Sequence, residues 1–181
     1  MMSWLKNLGS NSKSALIKEA QAKVTEIQQS RSLQPIQTGT ILQKAEQAYL
    51  SEQVKLKENR AVGERVGIGL GSRVMKNLYV GTSKSQYTSH QEVKDIDAGE
   101  LLLTNKRIIF SGMKEQRVID LEKILSFDIF ADAIAIKSSN KSKASYFMVK
   151  NPYIWKAYFT IVHGVDDPQD FHDVNVSISF E

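Results

Sequence analysis

The chain reads as a mainly β, α+β protein: seven or eight short strands of a barrel or sandwich, with one amphipathic helix before them and one after. Three observations predict this. Strand-length apolar runs with turn residues between them recur from about residue 49 to residue 149. The stretch GELLLTNKRIIFSG, residues 99–112, puts Leu101 and Leu103 on one face and, past a polar turn, Ile108 and Phe110 on one face. That is the period-two pattern of a half-buried hairpin. Finally, Asn151-Pro152 opens a run in which Ile154, Trp155, Tyr158, Phe159, Ile161 and Val162 recur at helical spacing.

Taken in order, residues 12–31 predict a helix. Ser12 or Ser14 can cap it, and Ile17, Ala20, Val24 and Ile27 form an apolar stripe at spacings of three and four. The stripe is too short for a coiled coil to hold by itself, so it needs a covering surface: its own barrel, a second copy or a partner. Residues 32–40, with Pro35 and Gly39, read as a linker, and 41–47 as a helical turn. Leu50, Val54 and Leu56 mark a strand in 49–60. Gly63, Gly67, Gly69 and Gly71 punctuate a loop or bulged strand. Residues 74–82 and 87–95 are further strands separated by a turn at 81–85. The central hairpin turns at residues 104–107, and strands follow at 117–121, 125–130, 134–137 and 146–149. Asn151 caps the second helix with proline in its first turn, and Gly164 ends it. Residues 165–181 are acidic, then alternate through Val174, Val176, Ile178 and Phe180, an extra strand that joins the sheet or is donated to a neighbour.

With 181 residues the chain suits one domain of about 100–150 residues with extensions. Its absence of cysteine excludes a disulfide framework, a thiolate metal site and a cysteine nucleophile. No run reaches the roughly 18–20 apolar residues of a membrane span, and the first residues lack the apolar core of a secretory signal, so the cytoplasm is the expected location. Net charge is +4, unevenly spread. Residues 1–60 hold nine Lys/Arg against five Asp/Glu, residues 61–150 fourteen against ten, and residues 151–181 one against five. A mildly basic body suits anionic surfaces and is too weakly charged to name nucleic acid as a partner.

The residues of the central hairpin resemble the "G-x-L-x-x-T-N-K-R-[LI]-x-F-x-G" hairpin of bacterial PH-like and GRAM-like domains. Residues 119–124, IDLEKI, resemble that family's "I-x-L-x-x-I" segment, and residues 132–136 and Tyr146-Phe147 are similar to the strands that follow. Glu58-Asn59-Arg60 and the loop at 67–74 are similar to its entry strands. Asp132-Ala133 stands where members have Asp-Gly, which predicts a turn other than type I′ there. The resemblance covers about residues 41–163. It implies a partly open barrel of about seven strands closed by the C-terminal helix, residues 41–164, with an N-terminal helical extension and linker at 1–40 and an acidic tail with an extra strand at 165–181. It implies a fold and a binding role, toward phosphoinositides or proteins, and no catalytic residue.

Arg73, Lys76, Lys84, Lys106, Arg107, Lys114 and Arg117 would form a basic rim on the open side of the barrel, able to take anionic lipid or another anion. The competing reading is a solvated surface. The stripe Ile17, Ala20, Val24 and Ile27 is the candidate interaction helix. The glycines at 67–71 lack the Gly-Lys-Ser/Thr ending of a nucleotide loop and precede strand-like residues, so they read as a strand. His90, His163 and His172 have no ligand spacing, and the acidic run around His172 lacks a calcium-loop pattern, so neither metal nor cofactor is expected. No Ser-His-Asp elbow or His-Glu-x-x-His occurs. The expectation is a non-enzymatic scaffold that binds a protein partner or its own copies and not nucleic acid. The alternative is peripheral recruitment to anionic membrane lipid, and a small-ligand enzyme or sensor in the barrel mouth is third.

Overall fold

The computed structural model describes residues 10–75, 78–165 and 168–169, with side chains for all of these except 10–11 and 61–91. The first element is helix α1 (Ser10–Ser30). Strands β1 (Ala48–Met75) and β2 (Leu78–Thr104) follow, then β3 (Arg107–Gly112) and β4 (Gln116–Asp120). A single 3-10 turn, Leu121–Lys123, leads to β5 (Ile124–Ile129), β6 (Ala133–Ser138), β7 (Ser145–Met148) and helix α2 (Pro152–Gly164). The seven strands form one antiparallel sheet in the order β4-β3-β2-β1-β7-β6-β5. This is the mainly β fold with a closing helix that the apolar periodicity predicts.

Two compact units share this chain: residues 59–94 form one, and the rest of the chain the other. The smaller unit consists of the continuation of β1 past Glu58 and the run of β2 up to Lys94. Strand continues through 63–71, where a loop or bulged strand is expected, because Gly67, Gly69 and Gly71 recur at every second residue and leave the strand period intact. Likewise β2 runs without interruption through 81–85, where the composition predicts a turn. Gly, Ser and Thr residues mark turns only when nothing pairs with the backbone there, and β1 lies beside β2 in the sheet order.

In the larger unit the sheet curls over on itself. The rings of Phe110 on β3 and Phe147 on β7 have centroids 5.7 Å apart, although β2 and β1 separate those strands in the sheet. Leu56, Leu101, Leu103, Ile108, Ile134 and Ile136 fill the interior with them. Helix α2 packs its apolar face on β5 and β6, with Phe159 stacked on Phe127 at 4.3 Å. Trp155 is fully buried, and its indole Nε1 donates to Glu52 Oε2 on β1 at 2.8 Å. Glu52 Oε1 also accepts the amide of Lys150 at 2.7 Å. One carboxylate thus fixes the entry of α2 onto β1 and satisfies the buried indole.

The N-terminal helix is part of the same unit. Ala20, Val24 and Ile27 are buried and Ile17 half-buried, and their cover is α2 of the same chain. Of the covers left open for the candidate interaction helix, its own barrel, a second copy or a partner, the structure shows the first: the stripe packs within its own chain, on the closing helix. Asn151 makes the junction. Its Oδ1 accepts the amides of Tyr153 and Ile154 as the N-cap of α2, while its Nδ2 donates to Leu16 O at 3.0 Å and Glu19 Oε2 at 2.8 Å. Beyond α1 the chain reverses at Arg31, in the left-handed region with φ 51°. Residues 170–181, with the expected tail strand, lie outside the described residues.

Candidate interaction surface

The motif residues Thr104, Asn105, Lys106 and Arg107 join β2 to β3, and all four grip the segment 41–47. Thr104 Oγ1 accepts the amides of Lys106 (3.1 Å) and Arg107 (2.9 Å), which closes the turn, and donates to Glu46 Oε1 at 2.8 Å. Left-handed φ values are confined, among non-glycine described residues, to Arg31 and Ala45. The turn is therefore not of a primed type, and Thr104 takes over what a turn glycine would do. Asn105 exchanges bonds with Gln47, its Oδ1 accepting at 2.9 Å and its amide donating to Gln47 O at 3.1 Å, and its Nδ2 reaches Ala45 O at 3.2 Å. Lys106 Nζ donates to Lys44 O at 2.7 Å.

Arg107 is the centre of this clamp. Its Nε and Nη2 donate to the two carboxylate oxygens of Glu46 at 2.8 and 3.0 Å, and Nη2 reaches Ile41 O at 3.4 Å. The Glu46 side chain is 0% exposed. Burial opposes its ionisation, but the Arg107 fork, the Gln43 amide at 2.6 Å and the Thr104 hydroxyl outweigh it and hold the carboxyl below the usual range. Segment 41–47, read from sequence as a helical turn, is thus an irregular strap whose carbonyls and carboxylate are held from across the turn. The pair joins positions 61 apart, so no local pattern could announce it.

What the strap holds in place is apolar and exposed. Gly39, Thr40 and Ile41 line a groove of about 420 Å³ together with Arg107, Ile109 and Val118. Ile41 is 91% exposed although its carbonyl is held by Arg107, and Val118 on β4 is 49% exposed. Met113, at the β3–β4 turn, is 96% exposed. At that turn Gly99 faces Gly112 across β2 and β3, and a side chain at Gly99 would overlap the backbone of Ser111 and Gly112. A side chain at Gly112 would overlap the Asp97 carboxylate. Asp97 Oδ2 accepts the amides of Lys114 at 2.6 Å and Glu115 at 2.9 Å, and these bonds lower its pKa. Paired glycines inside a strand pattern are the signal by which such a close approach can be found in sequence.

The expected basic rim divides. Arg73, Lys76 and Lys84 lie outside the described side chains. Lys106 and Arg107 are engaged in the clamp. Arg117 points inward: its side chain is 4% exposed, bonded to the Glu58 carboxylate, to Ser145 Oγ at 2.8 Å and to Glu115 Oε2 at 3.3 Å. It ties β4 to β1 and β7 through the interior, and its Nε has no partner among the described residues. Burial, and then the positive charge of Arg117, lower the pKa of Lys141. Lys114 is exposed to solvent. Among the described cations, then, Arg107 and Arg117 hold the fold together, and they do not converge with Lys114 on an open site. His163 is exposed on α2 beside Phe159, with centroids 5.4 Å apart, and His90 and His172 lie outside the described side chains. No described helix is long and apolar enough to cross a membrane.

Against this geometry the comparisons add no relative: no family profile, no curated protein and no solved structure matches the chain.

Proposed function

We propose that the chain is a non-enzymatic binding module of the PH-like or GRAM-like kind, which works in the cytoplasm by protein–protein contact and self-assembly. The observation that carries the reading is Ile41: a nearly fully exposed isoleucine whose carbonyl Arg107 reaches at 3.4 Å, lining a groove together with half-exposed Val118. An exposed apolar side chain on a mobile loop is ordinary. One that a buried ion pair holds in place, beside a second apolar residue on a sheet edge, is preorganised for contact and loses little entropy on binding.

A photo-crosslinking amino acid placed at Ile41 in the source cell tests this. The expected result is discrete protein adducts at Ile41 and none at Lys137, which is exposed on β6 away from the groove. Failure to form protein adducts at Ile41, or adducts to lipid alone accompanied by salt-sensitive cosedimentation with phosphatidylserine vesicles, would overturn the reading in favour of membrane recruitment.

A further inference from the structure

We propose that β4 pairs with β4 of a second copy, antiparallel about a two-fold axis at Val118, so that two sheets join edge to edge. The proposal deepens the self-assembly reading above and rests on it.

Hydrogen bonding identifies the edge. β4 ends the sheet order, and its ladder with β3 sets Phe110 opposite Arg117 and Ile108 opposite Ile119. At the two ends Gly112 N donates to Glu115 O and Leu121 N to Lys106 O, both at 2.9 Å. The bonding groups therefore alternate: residues 115, 117, 119 and 121 turn theirs toward β3, and Gln116, Val118 and Asp120 turn theirs to the open edge. No hydrogen bond reaches the amides of these three from any described residue. Their side chains face outward, as the alternation of exposed Gln116 and Val118 with buried Arg117 and Ile119 records.

The other edge differs. β5 carries a register shift between Ile124 and Ser126, and its Phe127 lies stacked beneath Phe159 of α2. A bulge and a covering helix are the usual protections of an edge strand. β4 has neither.

The occupant follows from the symmetry of the β4 sequence. With Val118 on the axis, the two valines form a bonded pair that exchanges two N–H···O bonds, and each Asp120 amide donates to the Gln116 carbonyl of the other copy. On the outer face Val118 lies against Val118, and the Gln116 amide lies against the Asp120 carboxylate. Asp120 Oδ2 holds Lys123 Nζ at 2.6 Å, which leaves Oδ1 for that bond. Lys114, in the β3–β4 bend, and Glu122, in the 3-10 turn, flank the two ends of β4, so each end of the pairing brings a positive flank toward a negative one. A β4 edge is thus complementary to itself in register, charge and backbone polarity, and Ile41 extends the apolar seam from the groove beside it.

Light scattering and sedimentation of the full chain over a wide range of concentration test the pairing. The mass is expected to rise from 20.4 kDa to twice that value. Val118→Pro, which deletes the edge amide, and Val118→Lys, which sets two cations on the axis, are each expected to return it to the monomer. Both should keep the near-UV circular dichroism of the parent chain. Gln116→Lys sets a cation against Asp120 twice per dimer and is expected to tighten it by about two- to thirtyfold. Hydrogen exchange at Val118 and Asp120 should slow in the dimer. A monomer at every concentration overturns the proposal, as does a dimer that Val118→Pro and Val118→Lys leave intact. If Ile41 cross-links to other proteins while the chain stays monomeric, this pairing falls and the protein-binding reading stands.

Discussion

Arg107 belongs to a motif whose two adjacent cations read as a lipid-facing turn, and the structure turns it instead onto Glu46. The physical reason is desolvation. A carboxylate with no solvent exposure needs a forked, always-charged partner, and a lysine at 107 could supply one bond where the guanidinium supplies two. Arg107→Lys is therefore expected to lower stability by about 1.5–3 kcal/mol in urea unfolding, the worth of a charge-assisted hydrogen bond. A change within about 0.5 kcal/mol, the usual effect of a surface substitution, would sink the clamp. The acid limb carries a second sign of it. Because the folded-state pKa of Glu46 is lowered, its stabilisation is fully present above the ordinary carboxylate value and is lost as pH falls through the folded one. Glu46→Gln should thus weaken the protein at neutral pH and flatten the fall in stability below about pH 4.3, the unfolded carboxylate value. An unchanged acid slope would mean that Glu46 has the same pKa folded and unfolded. None of this is legible in sequence, where Glu46 is one acid among twenty. What sequence does show is that residues 104–107 form a turn, since local chemistry alone decides that.

Elements were legible to the extent that their own residues decide them. The hairpin at 99–112 and helix α2 follow from period and capping, and both stand where the apolar pattern predicts. The turn at 81–85 fails because strand pairing overrides local turn composition. The partner of α1 was open for a different reason: a stripe shows that a helix needs cover and not what provides it. Asn151 supplies the missing link, since a single side chain caps α2 with its oxygen and holds α1 with its nitrogen. The two roles can be separated. Asn151→Ala removes both, and the lost cap alone should cost about 1 kcal/mol. Asn151→Asp keeps the capping oxygen, deletes the donor and sets a second carboxylate beside Glu19. In hydrogen exchange the Asp variant should keep the first turn of α2 protected and lose protection in α1, while the Ala variant loses both. An Asp variant with α1 exchanging as in the parent chain would show that the helix is held by its apolar stripe alone.

For the whole molecule the division lies inside β1 and β2, at Glu58 and Asp95, away from the linker where composition places a boundary. Pro35 and Gly39 do mark an irregular segment, but the strap that follows is clamped to the β2–β3 turn, and α1 packs on α2, so residues 10–40 belong to the larger unit. Residues 59–94 do differ in composition, holding five of the ten glycines, but nothing at Glu58 or Asp95 marks the boundary itself, because strand periodicity runs through both. It does have a mechanical consequence. Lys57 Nζ and Asp95 Oδ1 are 3.2 Å apart, so β1 and β2 lie side by side where the larger unit ends. Neighbouring strands about 5 Å apart can be closed by a two-residue turn. Replacing residues 59–94 with Asn-Gly therefore joins Glu58 to Asp95 in a short hairpin, and the described interior of the larger unit, from Leu56 through Phe147 to Trp155, contains nothing that the excision removes. The shortened chain should unfold in one cooperative transition, with Trp155 fluorescence still reporting a buried indole and the Glu52 bond intact. The excised residues are paired strand and not flexible loop, so the expectation rests on the intact core: the urea midpoint should hold. A shortened chain that exposes Trp155 or melts without cooperativity would show that residues 59–94 are required for the larger unit to fold, and that the two units form one cooperative structure.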